Sequence, residues 1–358
     1  MRIFITQICP KDRILEYGFS ISASNFNYNL ISGGGFDKII SIYPGFAKGD
    51  LQLLNDENFE TVYSSWRKHT GIQQKLARFL EQCKACKKIP KKSDVWFYNI
   101  TTLNILLVIL LKMFKPSCKL FVIMLDYAPN ELFHKVALRL INRMDGRICL
   151  STYSKFSKDN SICLPGVIST TEEKAKKLTT VSKEFLISGA LKENITMLSM
   201  LLDAFSELPE LTLHVSGILR DYKEKLEEYC KKYPNIIYHG KLPFDEYNRL
   251  LDSIPFSLNT RKPSALENQC NFPSKVIEAL RHNRIIVSTI EYPQLDGVEY
   301  FHVASDKESF KRDLRRIASL PQSELLNYAN QGDKVTELFN ADKWFEKMEE
   351  LEKNSERK

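Results

Sequence analysis

N-F-P-S-K-V-I-E-A-L-R-H-N-R-I-I-V-S-T, residues Asn271 to Thr289, reads as a helix followed by a buried strand. Pro273 fixes φ where the helix begins, and Ser274 is either its N-cap or part of its first turn. Val276, Ile277, Ala279 and Leu280 recur at helical spacing and supply the apolar face. His282-Asn283 closes the helix, because asparagine tolerates the left-handed conformation of a cap. Ile285-Ile286-Val287 is apolar and too short for a second helix.

Lys275 and Glu278 stand three residues apart, on one face of the first two turns. A helix N-terminus attracts phosphate, and a lysine there adds a full positive charge. A glutamate one turn further in is placed to accept two hydrogen bonds from the vicinal hydroxyls of a ribose. The ordinary alternative is a surface Lys-Glu pair worth about 0.2–0.5 kcal/mol.

Working outward, the chain around this stretch alternates strands and helices with short connections, the rhythm of a doubly wound α/β domain. Phe185–Ser188 reads as a strand, 189–194 as a loop, and Asn194 as the cap of a helix over 195–207. Strands follow at 211–216, 236–239 and 256–259, with helices at 220–233 and 245–253. The C-terminal part is helical over 307–320, 323–329 and 342–353. The polar, lysine-rich run 169–182 reads as an interdomain linker.

The first half has the same rhythm. Strands are expected at 2–8, 38–43, 95–98, 119–125 and 146–151, and helices at 21–31, 71–86, 101–114 and 131–144. Ile72, Leu76, Phe79 and Leu80 mark the apolar positions of the second helix. Gly33-Gly34-Gly35 closes the first helix; it serves as a turn or lets a substrate phosphate or sugar approach the backbone. Asp126-Tyr127 follows the strand 119–125, at the kind of strand C-terminus where open α/β sheets place ligands. Asp126 is therefore a candidate acceptor contact or general base, its alternative role being to cap the next turn.

The wording F-P-S-K-x-x-E, a small loop and an apolar strand resembles the donor-site helix of retaining GT-B glycosyltransferases, especially the bacterial surface-polysaccharide enzymes. L-N-T-R, Leu258 to Arg261, is similar to the strand end and loop that precede that helix in the family. The resemblance is strongest from Glu184 to Thr289.

It implies two Rossmann-like doubly wound domains facing a central cleft. Residues 1–178 would form the acceptor domain and 183–335 the nucleotide-sugar domain, with a C-terminal helix in 336–358 crossing back through Trp344 and Phe345. It also implies transfer of a sugar from a nucleotide-diphosphate sugar to a glycan or lipid-linked acceptor, with retention and without a metal or other cofactor. Arg261 and Lys275 would neutralise the diphosphate as the glycosidic bond breaks. Gly189, Lys192, Asn271, Pro273, Ser274 and Glu278 would complete the donor side, and Gly33, Gly34, Asp126 and Tyr127 the acceptor side.

The sequence departs from the family in two places. The usual arginine and lysine of the loop after the first strand of this domain are replaced by Ala190 and Ile195, leaving Lys192. The glutamate that family members carry eight residues before Glu278 is Cys270, so Glu267, Asn268 and Gln269 are the remaining candidates for sugar contact. A nucleotide-sugar epimerase on the same fold and a non-catalytic scaffold are the alternative functions.

Composition bounds the rest. A chain of 358 residues, 43% hydrophobic and 27% charged, is a folded protein long enough for two domains. Its 8 cysteines include the isolated pair Cys83 and Cys86, with no partner pair at zinc-finger spacing. Free thiols in a reducing compartment are expected.

The 6 histidines form no H-x3-H pair, and no Walker or G-x-S-x-G pattern occurs. Met1–Ile5 runs straight into a strand, so no signal peptide is expected. The apolar run 103–114 falls short of the ~20 residues needed to span a bilayer.

Residues 1–178 hold 26 Lys and Arg against 15 Asp and Glu, a net +11, whereas the remainder holds 25 against 29, a net −4. The basic half is expected to face something anionic. Nucleic acid is not favoured, since no basic motif with interleaved aromatics appears. An anionic membrane surface carrying the acceptor fits better. The expected location is the cytoplasm, with peripheral contact at the inner face of the plasma membrane, in part through the basic loop 84–92.

Overall fold

A computed structural model of the protein describes residues 1–8, 13–14, 19–44, 59–64, 69–125, 127, 132–152, 155–170, 174–219 and 222–356. The chain forms two compact units. The first comprises Met1–Thr170, Cys270–Phe272 and Phe339–Lys358, and the second Thr171–Gln269 and Pro273–Leu338.

The first unit begins β1 (Arg2–Thr6), α1 (Ile21–Ser32), β2 (Lys38–Pro44), β3 (Phe59–Ser64), α2 (Gly71–Lys88) and β4 (Asp94–Tyr98). It continues α3 (Ile105–Phe114), β5 (Lys119–Met124), α4 (Leu132–Ile141), β6 (Gly146–Cys149) and β7 (Ser161–Cys163). The strands form one parallel sheet in the order β3-β2-β1-β4-β5-β6-β7. The order reverses between β1 and β4, paired from Arg2↔Asp94 to Ile5↔Phe97.

Alternation along the strands sorts the core. Ile3, Ile5, Val95, Phe97, Leu120 and Val122 point to the side covered by α2, α3 and α4. Phe4, Trp96 and Phe121 point the other way, where Trp96 stacks on Phe121 at 4.7 Å and Phe4 on Phe36 at 4.6 Å.

The second unit contains β8 (Glu184–Leu191), α5 (Glu193–Thr196), α6 (Leu198–Ser206), β9 (Thr212–Leu219), α7 (Lys223–Lys232), β10 (Ile236–Gly240) and α8 (Phe244–Ser253). Then come β11 (Phe256–Asn259), α9 (Glu267–Cys270), α10 (Ser274–Arg281), β12 (Ile285–Ser288), β13 (Phe301–His302), α11 (Lys307–Ala318), α12 (Gln322–Tyr328) and α13 (Gly332–Phe339). Its parallel sheet runs β10-β9-β8-β11-β12-β13, reversing between β8 and β11. These two strands pair only at Phe256↔Phe185 and Ser257↔Leu186, so their C-terminal ends part beyond that register. Opening at such a reversal is what creates a ligand crevice in doubly wound sheets.

The last helix, α14 (Ala341–Glu356), belongs to the first unit. Trp344 is fully buried; its ring meets Phe26 edge-on at 5.2 Å and its indole N–H donates to the Gly166 carbonyl at 2.7 Å. Glu352 accepts from the Arg2 guanidinium (2.6 Å) and from Trp96 Nε1 (2.7 Å). α14 also explains two of the three glycines. A Cβ on Gly33 would lie 2.5 Å from Ala341 Cβ, and one on Gly35 would lie 2.4 Å from the Phe345 ring. Gly34 has φ +71 and open space around it.

Two local readings are corrected. The helix expected over 195–207 is broken at Met197, which has φ +52. Glu193, rather than Asn194, caps its second part, accepting from the Ser199 N–H at 2.8 Å and from the Ser199 hydroxyl. The strand expected to end at Ser188 continues to Leu191, because Gly189–Leu191 pairs with Gly217–Leu219 on β9.

Candidate functional site

The stretch 271–289 folds as a helix and strand. Pro273 is the N-cap of α10 with φ −73, Ser274 is its first residue, and Asn283 follows with φ +63. The Asn283 side chain ties this turn to the Ala175 carbonyl (2.9 Å) and to the Gly332 N–H (2.9 Å). Val276, Ala279 and Leu280 are buried, and α10 packs on β11 and β12. The opposite face carries the charges.

Lys275 Nζ lies 2.6 Å from Glu278 Oε2, with the two side chains 39% and 26% exposed. An ordinary surface pair ends there. Here the same Oε2 also accepts from the Tyr247 hydroxyl at 3.1 Å, which in turn lies 3.0 Å from Ser188 Oγ. Burial raises the Tyr247 pKa, and the neighbouring Glu278 charge raises it further. The phenol therefore keeps its proton and donates it to Glu278, while Ser188 donates to the phenol oxygen. Lys275 Nζ sits 4.0 Å from the centre of the Tyr247 ring, a cation–π arrangement. Among the described residues, Glu278 Oε1 takes no donor of its own.

This network stands at the C-terminal end of β8, beside the sheet reversal. A Cβ on Gly189 would be 4.0 Å from Lys275 Cγ, and Gly189 has φ +124. Its neighbour Gly217, φ +133, could carry no side chain, since a Cβ there would lie 1.9 Å from the Gly189 carbonyl oxygen. The backbone at these strand ends is thus stripped of side chains next to a lysine.

The loop after β11 is stitched to the one after β8. Thr260 Oγ1 donates to the Thr196 carbonyl (2.7 Å), and the Lys262 N–H donates to that of Ile195 (3.0 Å). The Arg261 N–H donates to Thr289 Oγ1 and that hydroxyl donates to the Arg261 carbonyl, each at 2.7 Å. Arg261 Nη1 reaches Asn268 Oδ1 at 3.3 Å, so Asn268 orients the arginine. Lys192 precedes α5 and its carbonyl accepts from the N–H groups of Ile195 and Thr196.

A cavity of about 570 Å³ opens nearby, lined by Glu291, Tyr292, Asp296, Glu299, Tyr300 and His302 among others. Tyr292 reaches from it to Asn259 Nδ2, and burial pushes the Tyr292 phenol up to about 12. Its carboxylates suit a polyhydroxyl group rather than a phosphate.

On the first unit, Asp126 lies outside the described residues. Tyr127 is buried in the core; its hydroxyl donates to the His134 carbonyl at 2.9 Å and its N–H to that of Cys270 at 3.2 Å. Asn271 is half-buried and Phe272 buried in the same unit. Among the described residues, no group of three or more His, Cys, Asp or Glu side chains could hold a metal ion, and no helix is long and apolar enough to cross a membrane.

Sequence reasoning missed Tyr247, Ser188 and Gly217. The repeated Ser-Gly at 188–189 and 216–217 was the available signal for the last two. Tyr247 gave none, because it lies 31 residues from its partner Glu278.

Neither a protein-family model nor a curated protein matches the sequence. Solved structures do match in fold. HepE of Anabaena in complex with UDP and glucose superposes with a TM-score of 0.66 at 14% identity, covering 98% of each chain. The trehalose-6-phosphate synthase OtsA gives 0.67 at 8% identity over 98% of this chain and 99% of its own. The lipopolysaccharide outer core galactosyltransferase WaaB, in apo form, gives 0.61 at 15% identity over 98% and 99%. With its two parallel sheets, each reversing at its first and fourth strands, the chain has the GT-B fold.

Proposed function

We propose that the protein is a glycosyltransferase that moves a sugar from a nucleotide-diphosphate sugar to a glycan or lipid-linked glycan acceptor in surface polysaccharide synthesis. The observation that carries this is the Ser188–Tyr247–Glu278–Lys275 network beside the side-chain-free strand ends Gly189 and Gly217. Lys275 and the start of α10, from Pro273 and Ser274, take the diphosphate, with Arg261 and Lys192 adding charge from the two stitched loops. Glu278 presents Oε1 to the ribose hydroxyls while Tyr247 and Lys275 hold Oε2. Asn271 lies just before this helix.

In the transfer, the bond between the anomeric carbon and the diphosphate oxygen breaks, and its electron pair leaves with the nucleotide. The acceptor oxygen forms the new bond and gives up its proton, for which Asp126 is the assigned contact. Gly33 and Gly34 do not join it. They follow α1 beside the start of β1, where Arg2 donates to the Gly35 carbonyl and α14 packs on Gly33, at the end of the sheet opposite the β5 C-terminus. Tyr127 is buried in the core. Retention of configuration and transfer without a metal are carried by the F-P-S-K-x-x-E resemblance alone. The fold likeness to HepE, solved with UDP and glucose, supports the donor class.

The test is a thermal-shift screen against UDP, GDP, ADP, CMP and their sugars. One nucleotide should raise Tm, and Lys275→Ala and Arg261→Ala should each reduce that rise. No stabilisation by any of them would leave a non-catalytic scaffold as the better reading. Release of free nucleotide with no acceptor glycosylated would favour an epimerase.

A further inference from the structure

The apolar positions of α2 mark a face that nothing among the described residues buries. Ile72, Leu76, Phe79 and Leu80 recur at i, i+4, i+7 and i+8, and they are 84%, 56%, 45% and 49% exposed. The helix turns its other side inward, burying Glu81, Gln82, Ala85 and Cys86. Its neighbour α3, joined to it by the bond from the Leu107 N–H to Gln82 Oε1 (2.9 Å), leaves Met113 and Phe114 66% and 64% exposed. The last turns of α2 place Lys84, Lys87 and Lys88 on the surface, and the residues just after it add Lys91 and Lys92, with no carboxylate between Gln82 and Ser93.

Large apolar side chains gathered beside a purely basic rim mark an interaction surface, and the rim selects the partner. A second copy of this chain in a two-fold contact would set lysines against lysines. A soluble acidic partner would satisfy the lysines yet give no reason for the long apolar stripe beside them. An anionic bilayer meets both demands. Apolar side chains enter the boundary between headgroups and acyl chains while lysines lie among the phosphates, and stable peripheral binding needs both signals together.

We propose that α2 with its C-terminal lysines, Lys91 and Lys92 just beyond it, and the C-terminal end of α3 dock the first unit onto an anionic lipid surface, with α2 lying in the plane of the interface. The sequence alone reads 84–92 as a basic loop in a basic half of the chain; Lys84–Lys88 instead close α2, which sets these lysines beside the uncovered stripe and gives the face and the mode of contact. The assignment uses no residue of the nucleotide network and stands or falls separately from it.

The experiment is cosedimentation of the full chain with vesicles of phosphatidylcholine alone or of an equimolar mixture with phosphatidylglycerol, at low and high salt. The wild type is expected to bind only the anionic vesicles and to be released by salt. Leu76→Ser/Phe79→Ser/Leu80→Ser should weaken binding by about tenfold or more. Lys→Gln at all five of these lysines should weaken it by roughly fivefold for each charge near the surface.

Both variants should melt within a few degrees of the wild type and keep its nucleotide response. Equal binding to neutral vesicles, no binding at all, or wild-type binding by either variant overturns the proposal. So does a large fall in Tm of the serine variant, or a change in its sedimentation coefficient. Either would mean that the stripe is covered by the rest of the chain or by a second copy.

Discussion

Replacing Glu278 by alanine separates a surface ion pair from a nucleotide site. The pair is partly solvated, at 39% and 26% exposure, so its own contribution to stability is about 0.2–0.5 kcal/mol. The Tyr247 phenol loses its acceptor but keeps Ser188 as a partner, which adds a cost of roughly 0.5–1 kcal/mol. The nucleotide-free protein should therefore lose about 1 kcal/mol, a fall in Tm of about 2–4 °C for a unit of this size. Binding should suffer far more. Hydrogen bonds to a charged group contribute about 1.5–3 kcal/mol each, so two ribose hydroxyls losing one carboxylate forfeit about 3 kcal/mol, or roughly 150-fold in Kd. Calorimetric titration with the nucleoside diphosphate that best stabilises the wild type measures Kd, and scanning calorimetry measures the stability term. Glu278→Gln should fall between the two, since the amide oxygen still accepts. A Kd within about twofold of wild type for Glu278→Ala, beside the small Tm loss, would refute the ribose role and leave an ordinary ion pair.

Tyr247→Phe keeps the ring under Lys275 and removes only the hydroxyl that holds Glu278; it should raise the nucleotide Kd by roughly fivefold, an effect of about 1 kcal/mol, measured in the same titration. Trp344→Ala empties a fully buried site and orphans the Gly166 carbonyl, and should cost about 3–5 kcal/mol in urea unfolding. Gly33→Ala meets Ala341 Cβ at 2.5 Å and should cost about 1–3 kcal/mol on the same assay. His214 and His239 face each other at 2.9 Å, with Glu184 beside His214 at 3.5 Å. Burial lowers the pKa of each, and the His214 neighbour lowers that of His239 further. A lowered native pKa means that the unfolded chain binds the proton first. The pair's contribution is therefore intact above the unfolded value of about 6.5 and lost as pH falls below it. Urea midpoints taken from neutral pH down to about 5 should drop less steeply in His214→Gln than in the wild type.

What could be read from the sequence was whatever depends on near neighbours. The helix 274–281, its Asn283 cap and the strand 285–288 follow from spacing within one stretch, and the alternation of strands and helices gave two α/β units. What could not be read depends on partners remote in the chain. Tyr247 of α8 meets Glu278 of α10 across 31 residues of sequence, a pairing that only the tertiary fold creates. The turn at Met197 breaks a continuous apolar pattern because the Glu193 carboxylate captures Ser199, a local competition that periodicity does not register.

α2 is the most instructive case. Periodicity identifies a face, and burial is then decided by what packs against it. The sheet takes the small side chains Ala85 and Cys86, with Gln82 bonded to α3, and leaves the large apolar residues outward. A stripe of Ile, Leu and Phe in solvent carries a free-energy cost of about 25 cal/mol for each Å² kept from burial. The same stripe beside five lysines is the arrangement an anionic bilayer relieves. The mismatch between the helical pattern and the packing of α2 is therefore the signal of a surface made for a partner.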